Sequence, residues 1–277
     1  MTRNPYAVAL SIAGSDPSGG AGIQADIKTF TVLGVYGGAA ITCLTSQNTR
    51  GIRSFQPIAA SYVTEQVKTV LTDLPVSHIK IGMVGNAEIA RALSLILADF
   101  NGEIIFDPVL AATGGEPLSE NNLISALHDD LLKRITVITP NIIELEKLTS
   151  HPCPDKNQVR QAMDLLMDRY PNIRAVITKG GHLKENEDTI IDMLVLKNNH
   201  AQDRNEFIAS HPRTKGIEFH GTGCTFASAF TAFHMHTGDY QQAFFKTVDF
   251  MDRLIAQSTE MKIGQTMQPL ATHLLKG

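Results

Sequence analysis

The sequence predicts an α/β protein, a three-layer α/β/α sandwich around a mostly parallel central sheet, formed as one domain over residues 1–277. Apolar runs of strand length alternate with segments of helical period along the chain, which is the pattern of β-α units. No repeat, low-complexity linker or charge run divides it. The polar residues with chemical character fall just after the apolar runs, where open parallel sheets hold their ligands.

Ala7 to Ala13 reads as the first strand, and Ile23, Ile27, Phe30 and Leu33 follow at spacings of four, three and three, one face of a helix. Further strands are expected at Gly38 to Leu44, His78 to Ile81, Glu103 to Asp107, Val137 to Thr139, Ala175 to Thr178 and Ile190 to Leu196. Helices are expected at Ala59 to Asp73, Ala87 to Phe100, Ser119 to Leu132, Ile142 to Leu148 and Asn157 to Tyr170. Two more follow Cys224, one through His236 and one from Tyr240 to Met261. Lys184 to Asp188 and Asn198 to Glu206 are polar and read as exposed turns. Strands that alternate with helices pair in parallel, and helices cover both faces of the sheet. Gly14-Ser15-Asp16, Gln47-Asn48, Gly82-Met83, Asp107-Pro108, Pro140-Asn141 and Lys179-Gly180-Gly181 each follow a strand, so six strand ends should face one crevice.

Hydrophobic residues make up 43% of the chain and charged residues 19%, the balance of a globular protein with a sizeable core. A net charge of −4 and scattered lysines and arginines argue against nucleic acid as the main partner. Met1 to Pro5 carries one basic residue, and the apolar run Tyr6 to Gly14 is too short for a signal peptide or a membrane span. A soluble cytoplasmic protein with no membrane partner is therefore expected. Cys43, Cys153 and Cys224 lack metal-type spacing and fit a reducing compartment. Cys43 is expected as a small core residue and Cys153, between two prolines, as a loop thiol.

The run His220-Gly221-Thr222-Gly223-Cys224-Thr225 precedes a small-residue helical stretch, Phe226 to Phe233. Glycines on either side of a threonine let backbone N–H groups converge where a helix begins, and the positive end of the helix dipole adds to them. The anion expected there is a phosphate. The same field should favour a thiolate at Cys224, which suits phosphoryl transfer to an alcohol. The alternative is a glycine-rich turn with a small buried cysteine.

Other nucleotide motifs fit poorly. Gly20-Ala21-Gly22-Ile23-Gln24-Ala25 satisfies G-x-G-x-x-A, but the strand ends too early and Ala40 to Asn48 holds no acid to meet a ribose. Lys179 precedes its glycines, so it is not the lysine of a Walker loop.

The stretches GSDPSGGAGIQADIKTF, AITCLTSQNT, IKIGM, DPV, ITPNIIE, KGGH and HGTGC occur in this order. In this the chain resembles the hydroxymethylpyrimidine kinases of thiamin synthesis, members of the ribokinase-like superfamily, from about Ala7 to about Gly238. The resemblance implies transfer of phosphoryl from ATP to the hydroxymethyl group of 4-amino-5-hydroxymethyl-2-methylpyrimidine, then to the monophosphate. It also implies a ribokinase-like fold, a small-molecule pyrimidine partner, ATP and Mg²⁺ as cofactors, and a homodimer.

By the same resemblance, the backbone donors of Gly221, Thr222 and Gly223 would hold charge on the moving phosphoryl, with Cys224 as proton acceptor beside the alcohol. Asn141 and Glu144 form the metal-associated N-x-x-E motif, and Asp107 would assist the metal through water. Glu144 alone could equally be a helix-dipole partner. Lys179 would lie along the ATP phosphates, with Thr178, Gly181, Asn141 and Gly223 also in the ATP site; an isolated lysine is otherwise a solvated surface residue. Gln47 would read the pyrimidine, because an amide offers donor and acceptor to the ring nitrogen and the exocyclic amine. Asn48 is the second choice. Gly14 and Ala21 would leave room for the ring, and Met83 and Val109 would supply apolar walls, although Met83 alone reads as core. Asp16 would orient the substrate loop and Asp26 would cap or pair within the first helix. His220 stands nearer the chemistry but could equally shape the turn. His234 and His236 stand on different helix faces and share no metal.

Pro17-Ser18, Thr113 to Glu116, Lys215 to Phe219 and Gly264 to Met267 depart from the family pattern. Two other functions stay open on the residues: a pyridoxal kinase on the same scaffold, and a pyrimidine sensor that has lost turnover.

Overall fold

A computed structural model describes residues 7–110, 122–182, 188–198, 203–261 and 263–274. Outside them lie Thr113 to Glu116, the start of the expected 119–132 helix, and most of the expected 184–188 turn.

The chain opens with strand β1 (Val8–Ser15), helix α1 (Gly22–Val32), a long β2 (Tyr36–Asn48) and its antiparallel partner β3 (Gly51–Pro57). Then come α2 (Ala60–Asp73), β4 (His78–Ile81), α3 (Ala87–Ile96), β5 (Glu103–Phe106), α4 (Leu123–Asp129), β6 (Val137–Ile138), α5 (Ile142–Thr149) and α6 (Lys156–Arg169). The remainder is β7 (Ala175–Thr178), β8 (Thr189–Lys197), β9 (Arg204–Pro212), β10 (Phe219–His220), α7 (Thr222–Thr237), α8 (Tyr240–Ser258) and β11 (Gln268–Pro269). Asn86, Asp155 and Asp239 each cap the helix that follows by accepting a first-turn N–H.

Nine strands form one sheet in the order β3-β2-β1-β4-β5-β6-β7-β8-β9. From β2 through β7 every neighbouring pair is parallel, so the six carboxyl ends share one edge. The strands β3, β8 and β9 run antiparallel to their neighbours and widen the sheet at its margins. The order reverses between β1 and β4, because β1 leads outward to β2 while the later strands add on the other side. A crevice opens at such a reversal.

Alternation along each buried strand feeds two cores. Ile79 and Ile81 of β4, with Ile104 and Phe106 of β5, pack under α2 to α6. Ile105, Val137, Ala175 and Ile177 face the opposite way and meet α7 and α8. Phe30 of α1, Ala9 and Ala232 complete that second face.

Two expectations are corrected here and one, for Cys153, is extended. Arg204 to Glu206 belongs to β9, paired along its length with β8, and is not a turn. Cys153 does lie in a loop, but it is buried in the larger core. Asp26 does not pair within its own helix: it receives Lys80 from β4, Ser11 from β1 and Ser228 from α7.

Candidate active site

The turn before α7 is shaped by backbone crowding. Gly221 takes φ 82°, and a Cβ there would lie 1.8 Å from the Gly20 carbonyl oxygen, so this position demands glycine. No side chain caps the start of α7. The first-turn N–H groups, those of Thr222 and Gly223 among them, therefore have no intrahelical acceptor and stand at the positive end of the dipole. A Cβ on Gly223 would come 3.3 Å from Lys179 Nζ and 3.5 Å from Asp107 Oδ2, so the turn, the lysine and the carboxylate converge.

Lys179 donates to Asp107 Oδ1 at 2.6 Å, and Thr139 reaches the same oxygen at 3.3 Å. The Lys179 backbone donates to Pro140, which ties the end of β7 to the end of β6. Asn141 and Glu144 form a reciprocal capping box at the start of α5: the Glu144 N–H donates to Asn141 Oδ1 at 2.9 Å, and the Asn141 N–H donates to Glu144 Oε2 at 2.8 Å. Burial pushes the Glu144 carboxyl up to about 7; Lys179 opposes this and Asp107 adds to it. Burial would lower Lys179, but Asp107 and Glu144 reverse the effect and hold it above the ordinary lysine value. Thr178 Oγ1 is buried with no partner among the described residues. Beyond it, the Gly180 N–H is held by Asp192 and the Gly181 carbonyl by Arg213.

Two desolvated carboxylates with one lysine between them leave room for a further positive charge. The described residues contain no set of three His, Cys, Asp or Glu side chains able to hold a metal unaided. A magnesium ion fits this donor set, since it takes one or two carboxylates and completes its shell with water and phosphate oxygens.

Cys224 occupies the first turn of α7 and is partly exposed. Its thiolate is not favoured as the helix start alone suggests. Desolvation pushes the thiol up to about 11; Lys80 pulls it down, Asp26 and Asp107 push it further up, and a Gly22 N–H gives a smaller downward effect.

The other end of the crevice is apolar. A Cβ on Gly14 would lie 2.8 Å from Cys43 Sγ and 3.4 Å from Met83 Sδ. Cys43 and Met83 form one cluster with Val109, Ile52 and Phe55. Above it, the buried Asp16 carboxylate gathers the loop between β1 and α1: it accepts from the Ser18 N–H and hydroxyl, and from the Gly20 and Ala21 N–H groups. Burial raises the Asp16 pKa, but His220 first and then the Ser18 hydroxyl and N–H outweigh it and hold it down at about 2. Gln47, near the end of β2, lies beside His220 and Thr45. Asn48 instead accepts the Arg50 N–H and shapes the β2–β3 turn.

The structure thus gathers the residues singled out in the sequence at one sheet edge in two groups. Gly221, Thr222, Gly223, Cys224, Asp107, Lys179, Asn141, Glu144, Thr178 and Gly181 form the polar one; Gly14, Asp16, Ala21, Gln47, Met83 and Val109 form the other. Sequence reasoning missed Lys80 and did not resolve what Cys43 and His220 do. Cys43 is part of the apolar wall, His220 bridges Asp16 and Gln47, and Lys80 sits buried beneath the crevice. Lys80 had a signal: a lysine flanked by Ile79 and Ile81 in a core strand needs a buried counter-charge.

Solved structures share this architecture. Pyridoxal kinase from Staphylococcus aureus in complex with AMP-PCP and pyridoxal superposes with a TM-score of 0.83 at 26% identity, over 97% of this chain and 94% of that one. Phosphomethylpyrimidine kinase from Clostridium difficile 630 superposes with a TM-score of 0.77 at 30% identity, over 90% of this chain and 99% of that one. Fold and site together define a small-molecule kinase of the ribokinase-like class. In sequence, residues 16–271 match the family model described as phosphomethylpyrimidine kinase. The hydroxymethylpyrimidine/phosphomethylpyrimidine kinase of Haemophilus influenzae is 40% identical over 94% of both chains, and that of Bacillus subtilis 37% identical over 92% of both. The chain belongs to the phosphomethylpyrimidine kinase family.

Proposed function

We propose that this protein phosphorylates 4-amino-5-hydroxymethyl-2-methylpyrimidine with ATP, and then its monophosphate to the diphosphate, in thiamin biosynthesis. The observation that carries this reading is the meeting of the Gly221–Cys224 helix start with Lys179 and Asp107 at a sheet edge that also carries the Cys43, Met83 and Val109 cluster and Gln47, which lies beside His220 just ahead of that helix. The names of the relatives agree with it, among them a Geobacter sulfurreducens thiamine biosynthesis bifunctional protein, 37% identical over 83% of this chain and 45% of its own length.

In this reading Gln47 pairs with the ring nitrogen and the amino group, while Cys43, Met83 and Val109 pack against the ring. Gly14 and Ala21 leave it room. The N–H groups of Gly221, Thr222 and Gly223 bind the transferring phosphoryl, and Lys179 lies along the triphosphate. Cys224 takes the hydroxyl proton as the new bond to phosphorus forms. Thr178, Asn141 and Gly181 line the ATP side. Glu144, with Asp107 through water, would hold a magnesium ion that screens the phosphate charge. A homodimer in the cytoplasm is part of this proposal. Separately, among the described residues no helix is long and apolar enough to cross a membrane.

A second reading is favoured by one observation: structural neighbours include the pyridoxal kinases of Staphylococcus aureus and Bacillus subtilis, at TM-scores of 0.83 and 0.81 and 26% identity. Steady-state assays offering each alcohol with Mg-ATP separate the two. The pyrimidine should show the higher kcat/KM; a pyridoxal value about tenfold above it would reassign the substrate. Binding of the pyrimidine without any ADP production would point to a sensor.

A further inference from the structure

We infer that His220 is a positioning residue that fixes which way round Gln47 presents its side-chain amide, and thereby makes the site select an amino over an oxo substituent on the ring. The inference rests on the reading of Gln47 as the pyrimidine's partner.

His220 is buried at 2% exposure. Its Nε2 lies 2.8 Å from Asp16 Oδ2 and 3.2 Å from the nitrogen end of the Gln47 amide as placed. The other end of that amide lies 3.1 Å from Thr45 Oγ1, whose hydroxyl also donates to the Ser15 carbonyl at 2.9 Å. The two ends of an amide have nearly the same shape, so hydrogen-bond chemistry decides which is which.

Asp16 is ionised, and its oxygens can only accept. Nε2 must therefore carry a proton directed at it. A nitrogen that donates in this way cannot accept a bond from a second N–H, so Gln47 turns its oxygen toward His220 and shares the Nε2 proton with Asp16, as the longer second arm of a bifurcated bond. Its nitrogen then faces Thr45, which spends its one proton on Ser15 and accepts with a lone pair. Only the Nε2 proton is shared; every other proton in the set has one acceptor. The reverse placement sets two N–H groups against each other and asks Thr45 for two protons.

The imidazole is also held from outside. A Cβ on Gly20 would come 2.3 Å from His220 Cδ2, so the substrate loop packs directly on the ring. Nδ1 is buried with no partner among the described residues, so no rival bond draws the ring into another orientation. Anchored at both ends, the Gln47 amide keeps one N–H and one oxygen lone pair uncommitted, in a fixed order. An edge with a ring-nitrogen lone pair beside an amino group matches one order. An edge with a ring N–H beside a carbonyl oxygen needs the amide rotated by half a turn, which His220 prevents.

The test is calorimetric binding of the 4-amino pyrimidine alcohol and its 4-oxo counterpart to the full chain, comparing wild type with His220→Leu and His220→Gln. Wild type should prefer the amino compound by about 100-fold or more, because a mismatched edge leaves buried groups unpaired. In His220→Leu the amide turns freely, and the preference should fall to within about fivefold, while His220→Gln, which keeps an N–H donor, retains most of it. A merely structural role would weaken both ligands alike; an unchanged ratio in His220→Leu overturns the inference. Should that variant not fold, Thr45→Val releases the other end of the amide and is judged by the same ratio. If wild type binds neither pyrimidine, the proposed substrate is wrong, and the positioning is decided without it. The Gln47 side-chain amide signals in NMR, assigned against Gln47→Leu, should be dispersed in wild type and averaged in the His220→Leu or Thr45→Val protein. Identical signals overturn the inference.

Discussion

Lys80 Nζ lies 2.9 Å from both carboxylate oxygens of Asp26, and neither side chain reaches solvent. Asp26 also accepts the Ser11 hydroxyl at 2.5 Å and the Ser228 hydroxyl at 2.6 Å, so β1, β4, α1 and α7 meet at one carboxylate. Burial would lower the Lys80 pKa; Asp26 first, then Cys224 and Asp107, reverse this and hold it above the ordinary value. A Cβ on Gly82 would fall 2.9 Å from Lys80 Nζ, which is why the strand end beside the ammonium is bare. Ser228 stands one helical turn after Cys224, so the buried pair anchors the helix whose start forms the anion turn.

Removing either charge leaves the other buried and uncompensated. Asp26→Asn and Lys80→Met should each cost about 3–5 kcal/mol of stability in urea unfolding, and the double substitution should recover a large part of that loss. Single variants as stable as wild type would show that the pair does not hold these elements together.

Gly221→Ala combines a left-handed backbone with a Cβ driven into the Gly20 carbonyl. The backbone conformation alone costs about 1–2 kcal/mol, and relief of the clash must move the anion turn away from the substrate loop. ADP affinity, measured by calorimetry, should fall by about tenfold or more, a loss of about 1.4 kcal/mol. Unchanged affinity would remove this turn from the phosphate site.

At the amino end of β4, His78 bonds Ser77 through Nδ1 at 2.9 Å and His234 through Nε2 at 3.0 Å, and His234 stacks on Tyr240. Burial first, and then the neighbouring His234, lower the His78 pKa from 6.5 to about 4, against a smaller pull from Glu103. The unfolded chain takes up this proton more readily than the folded one. The contribution of His78 to stability is therefore complete above 6.5 and is lost as pH falls toward 4. Melting temperatures at about pH 7.5 and about pH 5 should differ less in His78→Leu than in wild type. An identical difference would mean that other groups govern acid unfolding.

Much of the fold was legible because buried parallel strands are short apolar runs: His78 to Ile81 and Ala175 to Thr178 are strands as expected. The marginal strands were not. β9 buries only Ala209 and alternates with polar residues such as Arg204 and Glu206, so its sequence looks like a turn. β3 likewise keeps Arg53, Ser54 and Gln56 exposed. The site was legible where glycine runs and motif spacing mark strand ends, as at Gly221 to Cys224. It was hidden where chemistry depends on pairing across the fold. Asp26 lies on the same buried face of α1 as Phe30, four residues on, and Lys80 lies between core isoleucines. Two opposite charges at core positions were the available sign that they meet. The high pKa of Cys224 was not readable, because it reflects desolvation and the carboxylates of Asp26 and Asp107, which folding brings together.

Cys224 carries the central chemical claim, since it stands at the anion turn beside the position proposed for the accepting alcohol. A thiol near 11 is a strong base once ionised, so wild-type turnover should rise with pH above neutrality, and Cys224→Ala should abolish that rise. The decisive measurement is kcat at saturating ATP together with the pyrimidine dissociation constant. In Cys224→Ala, kcat should fall by about 100-fold or more while the dissociation constant changes by less than about threefold. Turnover close to wild type, with the same pH dependence, would contradict a proton-accepting role for Cys224.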